Sequence, residues 1–175
     1  MTKVINFYAG PGTGKSTTAA SLFAEMKLQG YSVELVREYV KNWAWEGRVP
    51  GQYDQVYFFG KQARAEYSLF GKVDYVITDS PVLLCGYYEQ FYLGRELTYP
   101  SIVNYLEMAN QNGHQHINFF LKRHKEFVQN GRFETEDQVK KIDQDLKQWL
   151  IDKNISFIEL DCPDRERVEK IISMV

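Results

Sequence analysis

The chain is expected to fold as α/β, with a five-stranded parallel sheet covered by helices on both faces. Three observations carry this expectation. Short apolar runs at residues 4–8, 33–37, 75–78, 117–121 and 155–160 alternate with longer stretches of helical period. Buried parallel strands joined by crossover helices produce that alternation. The first run leads directly into Ala9-Gly10-Pro11-Gly12-Thr13-Gly14-Lys15-Ser16-Thr17, a glycine-rich turn that opens a helix. Polar groups gather where the apolar runs stop: Glu38 after the second, Asp79 after the third, Arg123 after the fourth, and Asp161 with Cys162 after the fifth. Open parallel sheets bind ligands beyond those strand ends.

Each element has a local reason. The helix after the glycine-rich turn spans about residues 15–29, with Ala19, Leu22, Phe23 and Met26 on one face, and Gly30 stands where a C-terminal cap is expected. The second strand stops at the charged pair Arg37-Glu38, and residues 39–51 follow with Trp43, Trp45 and Arg48. A helix over about 53–70 would bury Val56, Phe59, Ala63, Tyr67 and Phe70. The third strand ends at Asp79, and Ser80-Pro81 reads as an N-cap and first-turn proline. Residues 83–99 are dense in tyrosine, and the helix after Pro100 turns Ile102, Tyr105, Leu106 and Ala109 inward. Thr135 and Gln138 form a capping box for a helix that buries Val139, Ile142, Leu146, Trp149 and Leu150. Asp164 is placed as the cap of the last helix, which carries Val168, Ile171, Ile172 and Val175.

The glycine-rich turn is the strongest chemical signal. Its glycines let backbone N–H groups converge on a polyphosphate, and the helix behind it adds free amides and a positive dipole end. Gly10, Pro11, Gly12, Thr13, Gly14, Lys15, Ser16 and Thr17 are the predicted nucleotide contacts. Lys15 suits the β- and γ-phosphates, and the Ser16 hydroxyl suits Mg²⁺. The expected cofactors are therefore ATP and Mg²⁺. Asp79, at the end of a strand, is the second metal-associated oxygen donor. Its neighbour is Ser80 and not an acid of the kind that activates water in ATPase motors, which favours transfer to a bound acceptor over hydrolysis. Glu38 is the candidate general base for an acceptor hydroxyl. Lys122, Arg123, Lys125 and Arg132 flank a stretch of lid length, about 123–134, from which Arg123 or Arg132 would contact the transferring phosphate. Arg37, Glu38, Tyr39, Gln62 and Asp79 are the predicted acceptor contacts. Arg64, Trp43, Tyr53, Phe58, Tyr87 and Tyr88 are further candidates for an acceptor pocket. His114 and His116 read as surface residues.

Composition bounds the rest. The 175 residues make one domain, 1–175, with a net charge of −2. A protein that grips long nucleic acid shows a basic excess, so polynucleotide is not the favoured partner. The two cysteines, Cys85 and Cys162, are expected as free thiols. With no leader pattern and no apolar run of membrane-crossing length, no membrane association and a cytoplasmic location are expected. Monomer and homodimer are both compatible with the sequence.

The chain resembles the small phosphate-loop kinases of the nucleoside and nucleotide kinase group. Within it, the chain is most similar to the ribosylnicotinamide kinase domain of bifunctional bacterial NAD-biosynthesis proteins and its phage relatives. The likeness rests on Gly10 to Thr17, Arg37-Glu38-Tyr39-Val40, Gly60 with Gln62, Asp79, Phe120-Leu121-Lys122 and Asp164-Arg165. It implies a three-layer P-loop NTPase fold with sheet order 2-3-1-4-5, a lid after the fourth strand, and an adenine bordered by the loop near Cys162 and Arg165. It also implies a small nucleoside-like acceptor, with Glu38 and Asp79 flanking its hydroxyl. The sequence departs from that family at Pro81, where the bacterial domain has a second acid, and over residues 43–52. Two other readings compete. One is a kinase of a polynucleotide end or a modified base in phage DNA, for which Arg48, Lys61, Arg64 and Lys72 would form the basic track. The other is a non-catalytic nucleotide-dependent regulatory module.

Overall fold

A computed structural model describes residues 1–51, 53–124 and 135–175. The five strands are β1 (Lys3–Tyr8), β2 (Val33–Val36), β3 (Tyr75–Thr78), β4 (Gln115–Leu121) and β5 (Ile158–Leu160). They form one parallel sheet in the order β2-β3-β1-β4-β5, with Asn6 opposite both Thr78 and Asn118. The helices are α1 (Lys15–Leu28), α2 (Lys41–Trp45), α3 (Asp54–Tyr67), α4 (Leu83–Leu93), α5 (Tyr99–Gln111), α6 (Glu136–Asp152) and α7 (Asp164–Ile172).

Strand alternation sorts the helices into two layers. Ile5, Phe7 and Ala9 face α1 and α7 and pack with Ala19, Leu22, Met26 and Ile171. Tyr8 and Phe120 face the other way, into a core built from α3, α4, α5 and α6 that includes Phe58, Leu84, Ile102, Ile142 and Leu146. The capping box of α6 forms as expected, and its five predicted apolar residues are buried.

Several local expectations shift. In α3, Val56 and Tyr67 are 50 % and 63 % exposed, while Phe58, Gln62, Ala63 and Glu66 point inward. The inward face holds two polar side chains, each with its own partner, and so does not read as apolar. Ser80 gives its backbone N–H to Thr78 Oγ1 at 3.1 Å, and Val82 occupies the N-cap of α4. Asp164 lies inside the first turn of α7, after Pro163 at the N-cap, and pairs with Arg167 at 2.6 Å. β5 is shorter than expected because Ile155 closes the end of α6, donating its N–H to the Leu150 carbonyl at 2.9 Å. His114 and His116 are half-buried and have partners within the fold. His114 stacks on Phe70 at 4.4 Å between ring centroids and accepts the Thr2 N–H, while His116 lies 3.2 Å from the Asn6 amide. Burial lowers the His116 pKa to about 4. Among the described residues, no helix is long and apolar enough to cross a membrane.

Candidate active site

The glycine-rich loop is held from three directions. Gly12 and Gly14 have φ of 78° and 102°, a region L side chains rarely adopt, so the turn needs glycine there. Thr13 is buried and donates its hydroxyl to the Gly10 carbonyl at 2.9 Å. Lys15 folds its ammonium over the loop, 2.8 Å from the Ala9 carbonyl and 3.2 Å from that of Gly10. Asp143 on α6 accepts the Gly10 N–H at 2.9 Å. Arg167 on α7, fully buried, donates to the Thr13 carbonyl at 3.0 Å and to the Lys122 carbonyl at 2.7 Å. It thereby ties the loop to the end of β4. A Cβ on Gly14 would meet Asp164 Oδ2 at 2.7 Å, so this bracing also depends on glycine.

The acid that follows β2 shares a cleft with the loop, and the acid that follows β3 holds the first by its backbone. Asp79 is 5 % exposed, and its Oδ1 accepts the Glu38 backbone N–H at 2.9 Å. One cleft of about 480 Å³ is lined by Pro11, Gly12, Gly14, Lys15, Ser16, Thr17 and Glu38, among others. Its lining also includes Lys41, Trp45 and Val49, and Leu84, Tyr88 and Tyr92 of α4. The donor set suits a magnesium–nucleotide: amide-rich loop, lysine, serine hydroxyl and carboxylate are the hard, charged partners that phosphate oxygens and Mg²⁺ take.

The other predicted residues divide. Gln62 is buried and donates to Thr78 Oγ1 at 3.0 Å, at the edge of a small cavity of about 50 Å³ that Tyr39, Phe58 and Tyr88 also line. Tyr39 hydrogen-bonds Tyr57 through the two hydroxyls at 2.7 Å, and Arg37 is exposed. Phe58 and Tyr87 are core residues, and Tyr53 is an exposed ring beneath Arg95. Arg48 and Lys61, from the basic track, cover the rings of Trp43 and of Tyr39 with Tyr57, while Arg64 lies over Tyr67. Cys162 is 1 % exposed and packs in the core, and Arg165 is exposed on α7; neither lines the cleft. Arg123 pairs with Asp143 at 2.6 Å and donates to the Pro11 carbonyl at 2.9 Å, which places it on the loop. Lys122 instead pairs with Asp161 at 2.7 Å. Lys125, Arg132 and most of the expected lid lie outside the described residues.

Sequence reading missed Asp143 and Arg167. Asp143 follows buried Ile142 on an otherwise amphipathic helix, and its partner at the loop is a backbone amide, which leaves no trace in a side-chain pattern. Arg167 had one faint signal, the i, i+3 spacing from Asp164 at the start of the last helix.

A strand, a glycine-rich loop with lysine and serine, and a helix, set in a parallel sheet of this order, define a P-loop NTPase of kinase-like architecture. Residues 4–167 match the model of a family described as an AAA domain, and the chain belongs to that family. No curated protein matches the sequence. Among solved structures, the crystal structure of APE1195 is 15 % identical with a TM-score of 0.56, covering 99 % of this chain and 94 % of that one. A mutant of the Mycobacterium tuberculosis APS kinase CysC is 12 % identical with a TM-score of 0.55, covering 99 % and 96 %. At these identities the likeness is one of fold.

Proposed function

We propose that the chain is an ATP- and Mg²⁺-dependent kinase that phosphorylates a hydroxyl of a small nucleoside-like acceptor: ribosylnicotinamide, a nucleoside or a nucleotide. The observation that carries this reading is the shared cleft, which Glu38 lines together with Lys15 and Ser16 while its backbone is fastened to Asp79. A volume of about 480 Å³ is within the range of small-ligand sites, and its apolar and aromatic walls suit a flat ring.

In this reading the loop amides and Lys15 hold the β- and γ-phosphates. Ser16 and Asp79 would hold Mg²⁺, which would supply positive charge to offset that of the phosphate oxygens. Glu38 takes the acceptor's hydroxyl proton as that oxygen bonds to the γ-phosphorus. The bond from the γ-phosphorus to the β–γ bridging oxygen breaks, and its electron pair leaves with ADP. Arg123, already against Pro11, steadies the charge on the transferring group. The resemblance in Arg37-Glu38-Tyr39-Val40 supports ribosylnicotinamide as the first acceptor to try.

The test is acceptor-dependent ADP release with ATP and Mg²⁺ across ribosylnicotinamide, the common nucleosides, their monophosphates and a short DNA duplex. The expected result is a rate well above the ATP-only background with one small molecule, abolished in Lys15→Ala with the fold intact. Stimulation by DNA alone would move the assignment to a polynucleotide or base kinase. Normal turnover in Lys15→Ala would sink the phosphate-loop mechanism.

A further inference from the structure

The cleft carries a cation that does not belong to the phosphate loop. Among the described residues that line it, three are charged: Lys15, Glu38 and Lys41. Lys15 is part of the loop and bonds the Ala9 and Gly10 carbonyls. Lys41 opens α2, three positions after Glu38. It shares one face of that helix with Ala44 and Trp45, and all three line the cleft. The chain thus brings this ammonium to the cleft together with Glu38 and an indole. Tyr88 and Tyr92, stacked at 5.9 Å between ring centroids, line the same space. Lys41 is half-buried and has neither an ion-pair partner nor a hydrogen bond among the described residues. The neighbouring acids are committed elsewhere: Glu46 pairs with Arg48 at 3.5 Å, and Asp54 accepts the Gly51 N–H. A half-buried ammonium without a counterion has given up part of its hydration, and an anion entering the cleft offsets that loss.

We propose that Lys41 selects an acceptor that carries a phosphate ester besides a flat ring and a free hydroxyl: a mononucleotide, and not a nucleoside. This rests on the kinase reading of the cleft and narrows its range of acceptors. The ring takes the aromatic lining, the hydroxyl goes to Glu38, and the ester phosphate takes the Lys41 ammonium. The same charge disfavours ribosylnicotinamide, whose pyridinium ring is cationic, because like charges brought together in a cleft repel.

Acceptor-dependent ADP release by the full chain, with ATP and Mg²⁺, tests this. The acceptors are ribosylnicotinamide, each common nucleoside, its monophosphates and a short DNA duplex, and phosphorus NMR identifies the product. The variants are Lys41→Gln and Lys41→Arg. The wild type is expected to favour one monophosphate over its nucleoside by roughly ten-fold or more in kcat/KM, the scale of one hydrogen bond to a charged group. The product is expected to be a second phosphate ester on the ribose. Lys41→Gln is expected to remove the preference, chiefly by raising KM for the monophosphate, and Lys41→Arg to keep most of it. Calorimetric affinity for a non-hydrolysable ATP analogue, without acceptor, is expected to stay put in Lys41→Gln. The wild-type preference is read without any variant, so a variant that fails to fold leaves the test intact. A nucleoside, ribosylnicotinamide or DNA turned over in preference would overturn the proposal while kinase chemistry stands. So would a nucleoside diphosphate as product, a preference that survives Lys41→Gln, or a matching loss of affinity for the ATP analogue. ADP release that no acceptor stimulates would instead sink the kinase reading, and the proposal with it.

Discussion

Glu66 is a carboxyl sealed behind the sheet, fully buried, with Oε2 accepting the Tyr105 hydroxyl at 3.1 Å and Oε1 without a hydrogen-bond partner among the described residues. Burial raises its pKa from 4.5 to about 8, against the opposing pull of the Tyr105 hydrogen bond. A folded-state value above the unfolded one gives stability that is complete below pH 4.5 and is lost as pH rises towards 8. Glu66→Gln is therefore expected to flatten the pH dependence and to exceed the wild type in stability above pH 8, measured by denaturant unfolding on both sides of that value. At the cleft, Glu38→Gln is expected to lower turnover by about a hundred- to ten-thousand-fold, the usual worth of a general base, while ATP affinity stays put. Untouched turnover would remove Glu38 from the base role. These two carboxylates also mark what a sequence reveals of single residues. Glu38 was legible because it ends an apolar run at the ligand side of the sheet. Glu66 was not, because nothing in a linear pattern distinguishes a buried glutamate from a solvated one.

At the scale of elements, α6 is the instructive helix. It begins with a reciprocal cap between Thr135 and Gln138 and buries Ile142, Leu146 and Leu150 completely. Loss of the cap in Thr135→Ala is expected to cost about 1 kcal/mol. Leu146→Ala removes fully buried volume and is expected to cost about 2–5 kcal/mol. Chemical denaturation of both variants checks the order, and an equal effect would mean that the helix depends on its cap as much as on its packing. The strong amphipathic pattern made α6 readable residue by residue. The same method misplaced the face of α3, because Gln62 and Glu66 occupy inward positions where they bond Thr78 and Tyr105. It also gave no warning of α2, a five-residue helix that brings Trp45 to the cleft. Short helices follow packing more than local propensity.

For the molecule as a whole, the cleft couples stability to ligand. If Mg²⁺ and ATP bind only the folded state, ATP at a hundred times its Kd adds about 2.7 kcal/mol. In a chain of 175 residues that corresponds to a rise in Tm of about 5–11 °C, and Lys15→Ala is expected to lose it. Thermal melts with and without nucleotide read this without knowledge of the acceptor. The α/β class, the five strands, the glycine-rich loop and the place of Glu38 at its cleft were all legible in the chain. Each of these follows from local patterns: runs of apolar residues, glycine spacing, and polar residues at strand ends. The sheet order came through family likeness and is the order found. Only the tertiary structure decided what braces the loop and which helix faces turn inward. The Asp143–Gly10 and Arg167–Thr13 bonds span 133 and 154 positions and end on backbone groups, so no side-chain pattern records them. Where the partner is a peptide group that every residue carries, the fold alone selects it.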